Sequence, residues 1–222
     1  MQTVDALLEQ HEVTHGNVCP GTLLALRMSV LGCALLGIED PRGADQNKLI
    51  VWVEIDRWLV DAVEAVTGAR LGKRTLKFLD YGKLAATFLN LETGKAVRIA
   101  ALESSRRLAE VRHPEIRSKY ERHMQTYREA AEEELFKVTI AEVYLRPNDA
   151  PGHSNSRVIC HKCGEEVNDG REVNANDGNT LCRPCAFENL SRDRALKRTE
   201  LNDLICLYSD DRAPTIPFHG AH

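Results

Sequence analysis

Two cysteine pairs, Cys160-x-x-Cys163 and Cys182-x-x-Cys185, stand eighteen residues apart. Each pair can present two thiolates to one ion, and the two together complete a tetrahedral zinc shell. All four positions are then filled by protein, so the spacing predicts a closed, structural Zn2+ site rather than a catalytic one. Gly164, directly after the second ligand, suits the tight knuckle such a pair needs. The second pair leads into a helical pattern over 186–196, the order of a treble clef, where a zinc ribbon would end in another hairpin. His161 lies between two ligands, but the four cysteines suffice without it. In a module this small, metal binding supplies most of the folding free energy.

A second constellation is His15-Gly16-Asn17-Val18-Cys19-Pro20-Gly21, which opens the apolar run Leu23–Ile38. Proline fits a first helical turn, where its missing N–H would have no partner. Cys19 is thereby placed at the N-cap, where the helix dipole and free N–H groups favour a thiolate. His15 sits just upstream, within reach of the same turn. Together they could ligate a second metal in the core, or act as nucleophile and base; the plain alternative is a packed thiol and a turn histidine. Tyr81 and Lys83, in Asp80-Tyr81-Gly82-Lys83, could add a proton donor and a cation, although the plainer reading of that tetrapeptide is a hairpin turn. No acidic residue to orient His15 is evident.

These groups need a scaffold. The chain has 222 residues, is 43% hydrophobic and carries a formal charge of -4. That length suits a medium domain with a small one, and the charge gives no global field for nucleic acid or anionic membrane. The longest apolar run contains Arg27 and is too short to span a bilayer. The N-terminus lacks a signal-peptide pattern, and seven cysteines, four of them in CxxC pairs, point to thiols and metal. The expected compartment is the cytoplasm.

Residues 3–14 read as a helix, followed by the buried helix 23–38 and a loop at 39–47. Residues 49–55 read as a strand, and Asp56 suits the N-cap of a helix over Trp58–Thr67 that Gly68 ends. Strands follow at 75–79, 85–91 and 95–101, with hairpin turns at 80–83 and 92–94. Residues 115–134 read as one long, charged, solvated helix, and 136–144 as a further strand. Cys33 and Cys206 fall in apolar helical patterns and read as core. The fold class is α+β: an antiparallel meander packed with helices, plus a small C-terminal treble-clef zinc finger. The expected boundaries are 1–146 for the core, 147–157 for a Pro/Gly/Ser/Asn-rich linker, 158–208 for the finger and 209–222 for a flexible tail.

The chain resembles the FmdE family of tungsten/molybdenum formylmethanofuran dehydrogenase proteins. The resemblance covers roughly residues 12–200 and rests on several motifs in order. They are HGNVCPG against the family's HGHxCPG, Asp61-Ala62, Thr67-Gly68-Ala69-Arg70-Leu71-Gly72-Lys73-Arg74, the DYGK turn, and Ala96-Val97-Arg98. It implies an α+β core, a treble-clef finger and a homodimer. Asn17 replaces the family's second histidine, and Trp58 and Ala69 stand where members often carry cysteines. A core metal site would here shrink to His15 and Cys19, and the missing thiols argue against dithiol redox chemistry.

The function expected is that of a zinc-containing accessory or binding protein. A ligand site would be formed by His15, Asn17, Cys19, Tyr81 and Lys83, with a partner protein in a metalloenzyme system. The alternatives are an enzyme using Cys19 as nucleophile or redox thiol, and a nucleic-acid regulator. The last rests only on the locally basic stretch Arg192, Arg194, Lys197 and Arg198, where acidic residues intervene and no aromatic platform is visible.

Overall fold

The computed structural model describes residues 2–16, 18–154 and 156–187, with the backbone alone at 14, 15 and 187. The chain divides into two compact units, Met1–Ser156 and Arg157–His222. The expected tail, Cys206 and the basic stretch 192–198 lie outside the described residues.

The first unit is built on α2 (Pro20–Leu35), whose sequence has almost no polar stripe. Leu23, Ala25, Leu26 and Met28 are fully enclosed. Burying each of the larger side chains contributes about 1.5–3 kcal/mol. The helix is packed by α1 (Val4–His15), α3 (Trp58–Thr67) and α5 (Lys119–Glu129), and by the sheet strands β3 (Ala85–Asn90) and β4 (Ala96–Ala101). Its one charged residue, Arg27, escapes isolation by reaching outward. The guanidinium donates to the Tyr127 carbonyl at 2.6 Å and to Glu132 Oε1 at 2.6 Å. This contact ties the end of α5 to the middle of α2.

The sheet has the order β2-β1-β3-β4-β5, with β1 (Leu49–Val53), β2 (Leu76–Phe78) and β5 (Phe136–Ala141) completing it. The expected hairpin at 92–94 joins β3 to β4, and the Asn90 side-chain oxygen accepts from the N–H groups of Glu92 and Thr93. The other expected hairpin, at 80–83, does not form. β2 pairs in parallel with β1, and β3 pairs antiparallel with β1 on its other edge. Residues 79–83 instead arch over the end of β1: Leu79 N–H donates to the Val53 carbonyl, and Lys83 N–H to that of Glu54. The turn residues predict a reversal of direction correctly. They carry no information about the apolar strand that the tertiary fold inserts between the two arms.

Three helical expectations also change. Asp56 is not the cap of α3; Arg57 takes that position without a side-chain hydrogen bond, and Gly68 closes the helix in the left-handed region as expected. Residues 115–134 are not one helix, because the backbone turns extended at Ala130 and restarts as α6 (Glu132–Leu135), delivering the chain to β5. Nor is α5 a solvated rod, since it buries His123, Met124, Thr126 and Tyr127. Residues 104–112 form a further helix, α4 (Ser104–Arg112), which the charge-rich sequence did not announce. Finally, the 3-10 turn at Pro147–Asp149, inside the expected linker, is bound to the first unit, with Arg74 donating to the Asn148 carbonyl and Lys77 to that of Asp149.

The second unit has two small hairpins, β6 (Arg157–Ile159) with β7 (Glu166–Asn168), and β8 (Val173–Asn174) with β9 (Thr180–Leu181). They precede α7 (Arg183–Phe187). Its buried cluster is Cys160, Val167 and Cys182. Among the described residues this is a small apolar cluster.

α2 approaches the sheet at Gly32, where an added Cβ would lie 2.6 Å from the Phe88 ring. Gly32→Ala therefore overpacks the helix–sheet contact. It should cost about 1–3 kcal/mol, read as a lowered urea midpoint with an unchanged slope.

Candidate functional site

The cysteine cluster is formed by local backbone geometry. Cys160 begins a knuckle in which Gly164 N–H donates to the Cys160 carbonyl at 2.9 Å, and Gly164 takes a positive φ of 75°. Cys182 follows β9 directly, and Cys185 lies in the first turn of α7. The ligating sulfurs of Cys160, Cys163, Cys182 and Cys185 all lie within 4.8 Å of one another. The Cys163 and Cys182 sulfurs are 3.8 Å apart, and a tetrahedral shell with Zn–S bonds of about 2.3 Å has edges of about 3.8 Å. Donor type, number and spacing thus fit zinc.

The electrostatics of the four thiols agree. Cys160 is held down to about 6 because the N–H groups of Cys163 and Cys182 point at its sulfur, the latter from 3.2 Å. Cys185 is pushed up to about 12, first by its hydrogen bond to the Cys182 sulfur and then by burial. Neighbouring thiolates repel one another, and a bound divalent cation is what lets four coexist.

In the first unit only some of the residues singled out by sequence have described side chains. His15 is the last residue of α1, Asn17 lies outside the described residues, and Cys19 is the half-buried N-cap of α2. The Cys19 sulfur is 3.4 Å from the Thr22 hydroxyl, which also accepts from the Cys19 N–H. Lys83 is brought over the Tyr81 ring at 5.9 Å, and the Tyr81 side chain remains exposed. Cys33 is fully buried as expected, and burial, with the charge of Asp45, pushes its thiol up to about 12.

What the fold does build is a cleft of about 940 Å³ over the first turn of α2. Pro20, Gly21 and Leu24 come from α2, Trp58 from the start of α3, Lys83 from the arch over β1, and Arg98 from β4. Tyr120, His123 and Tyr127 are contributed by α5. Cys19 and Tyr81 are not among its lining residues. Trp58 is seated because residue 21 is glycine: a Cβ there would meet the indole at 2.4 Å. Arg57 lies over the same indole at 5.7 Å.

Arg98 is fixed by Glu54, which is only 4% exposed. The guanidinium donates to both carboxylate oxygens, at 2.6 and 2.7 Å, and this pairing raises the arginine's affinity for its proton. A bidentate fork of this kind holds both side chains in one orientation. On the opposite wall, Tyr120 donates to the Val18 carbonyl at 2.8 Å, anchoring α5 to the segment that leads into α2.

In the sequence, Trp58 stands out only as a missing cysteine, Arg98 only within a family motif, and His123 not at all. One feature could have exposed the last: Tyr120, His123 and Tyr127 follow the i, i+3, i+7 spacing of one helical face. It is masked by the charged residues on either side.

Known proteins share both units. The family described as "FmdE, Molybdenum formylmethanofuran dehydrogenase operon" matches residues 14–148. The prokaryotic dksA/traR C4-type zinc finger matches residues 155–189. A probable S-adenosyl-L-methionine-binding protein of Archaeoglobus fulgidus is 32% identical, over 81% of this chain and 52% of that protein. This chain thus spans about half the length of that relative. The crystal structure of a tungsten formylmethanofuran dehydrogenase FmdE-like protein from Syntrophus aciditrophicus superposes with a TM-score of 0.53 at 25% identity. That match covers 85% of this chain and 94% of that one.

Replacing Cys160 removes the sulfur on which the knuckle and the Cys182 N–H converge. Cys160→Ser should reduce bound zinc well below one per chain and abolish hydrogen-exchange protection across 157–187, leaving protection of β1, β3 and β4 intact. Loss of the sheet's protection as well would mean that the two units fold as one.

Proposed function

The chain belongs to the FmdE family, and from that premise we propose that it is a zinc-containing accessory protein that binds a small ligand in the α2 cleft. The observation that carries the reading is the make-up of that cleft. Five elements and an ion pair whose carboxylate is buried hold an aromatic and cationic cleft of ligand size, among whose lining residues the candidate nucleophile Cys19 does not appear. That supports recognition over covalent catalysis. Among the described residues, the four finger cysteines form a cluster suited to hold a metal ion, which supports one structural zinc in the finger; His15 and Cys19 remain the place where a second metal would bind in the core. The same reading expects a homodimer and a protein partner in a metalloenzyme system.

A second reading, S-adenosylmethionine as the ligand, is favoured by the name of the Archaeoglobus relative. Trp58 and Tyr120 could accommodate an adenine ring, and the arginines its carboxylate.

Elemental mass spectrometry of protein purified without added metal should give one zinc per chain. A second metal ion would move the ligand site to His15 and Cys19. Denaturing the same protein should release a near-stoichiometric small organic molecule that is lost from Lys83→Glu. If none is released, and no small molecule changes the tryptophan fluorescence, the binding reading fails. Saturable quenching by micromolar S-adenosylmethionine would establish the second reading. Sedimentation should give about twice the 24.9 kDa chain mass.

A further inference from the structure

Resting on the reading of the cleft as a ligand site, we propose that its ligand is an organic anion, a phosphate or carboxylate carried on a planar ring. Lys83, Arg57 and Lys119 hold the anion, and Nε2 of His123 makes the directional contact.

The sign and pairing of charge in the cleft point to an anion. The chain as a whole is acidic, at -4. Yet Arg57, Lys83, Arg98, Arg106 and Lys119 line this one cleft against Glu103 alone. Arg98 is satisfied by Glu54, and Arg106 stands 3.6 Å from Glu103. Among the described residues, Arg57, Lys83 and Lys119 have no carboxylate partner. The first turn of α2 contributes Pro20 and Gly21 to the lining and contains no acidic residue. The positive end of that helix therefore adds to the side-chain charge and is not cancelled by it.

His123 gives the direction of contact. It is 8% exposed although its ring lines the cleft. Its Nδ1 lies 2.7 Å from the Lys119 carbonyl oxygen. A carbonyl can only accept, so Nδ1 carries a hydrogen and donates it. The ring is thereby oriented, and Nε2 is left without a protein partner among the described residues. Nε2 is not among the enclosed unpartnered polar atoms, so it is open to the cleft, where a ligand can reach it.

The apolar part of the lining suits a ring. Leu24, Ile55, Leu84 and the Trp58 indole add apolar surface to the lining of the cleft. They fit a ring face, and by excluding water they strengthen the charged contacts. A net-cationic ligand such as a sulfonium would meet the same field with the wrong sign. A bare inorganic anion would leave that apolar surface uncovered.

The test uses the full zinc-loaded chain and four probes: ADP (ring and anion), adenosine (ring only), pyrophosphate (anion only) and S-adenosylmethionine (ring with a cationic sulfonium). ADP should bind once per chain by calorimetry, at least about tenfold more tightly than any other probe, a margin of about 1.4 kcal/mol. Raising salt from about 50 to about 300 mM should weaken it several-fold. The double variant Lys83→Ala/Lys119→Ala should lose at least about tenfold with an unchanged melting temperature. His123→Asn keeps a donor for the Lys119 carbonyl but removes the atom at Nε2, and should lose affinity. His123→Gln, which restores a polar atom near Nε2, should lose less. Adenosine or S-adenosylmethionine binding as tightly as ADP would overturn the anion proposal and leave the ligand-cleft reading intact. Pyrophosphate matching ADP would remove the ring from it. No binding of any probe at about 1 mM would also overturn the anion proposal, and the ligand-cleft reading would then be decided by whether the denatured protein releases a small molecule.

Discussion

The structure of the first unit depends on the burial of α2. A helix that is apolar on almost every side cannot lie on a surface; it must be enclosed, and α1, α3, α5 and the sheet are what enclose it. The enclosure sets close approaches at two glycines. Gly32 admits the Phe88 ring and so brings the sheet up to the helix, and Gly21 admits the Trp58 indole and so brings the start of α3 against the first turn. Arg27 shows the same constraint from the polar side, since its charge is tolerable there only because it reaches the Tyr127 carbonyl and Glu132.

The cleft is a consequence of that packing. Beside the first turn of α2, the chain crossing from β2 to β3 arches over the end of β1. The arch supplies Lys83, the sheet supplies Arg98, and α5 supplies its aromatic and imidazole face. Three of the lining side chains are fixed by contacts of their own: Arg98 by Glu54, Tyr120 by the Val18 carbonyl, His123 by the carbonyl one turn back in its own helix. Side chains held in this way meet a ligand with little left to order, which is how a modest pocket gains selectivity. The indole at position 58 walls the cleft where the missing side chain of Gly21 makes room for it.

The finger solves a different problem. Among the described residues its buried apolar cluster is Cys160, Val167 and Cys182, two of them cysteines of the metal-type cluster, so metal binding and folding are coupled there. The backbone prepares the site by directing N–H groups at Cys160, while the neighbouring thiols and burial push Cys185 up.

Metal chemistry, fold class and most elements were legible from residue order, because they rest on local rules: thiol spacing, hydrophobic period, turn composition and the glycine that ends α3. The four zinc cysteines needed nothing more than their spacing. By contrast, the placement of β1 between β2 and β3 is a non-local choice, made by which apolar strand best fills the central slot, and the intervening turn reads the same either way. The cleft was illegible for the same reason. Arg98, His123 and Trp58 are far apart in the chain, and no local pattern couples a basic residue in one strand to an imidazole on a charged helix. Only the enclosure of α2 brings them to one place.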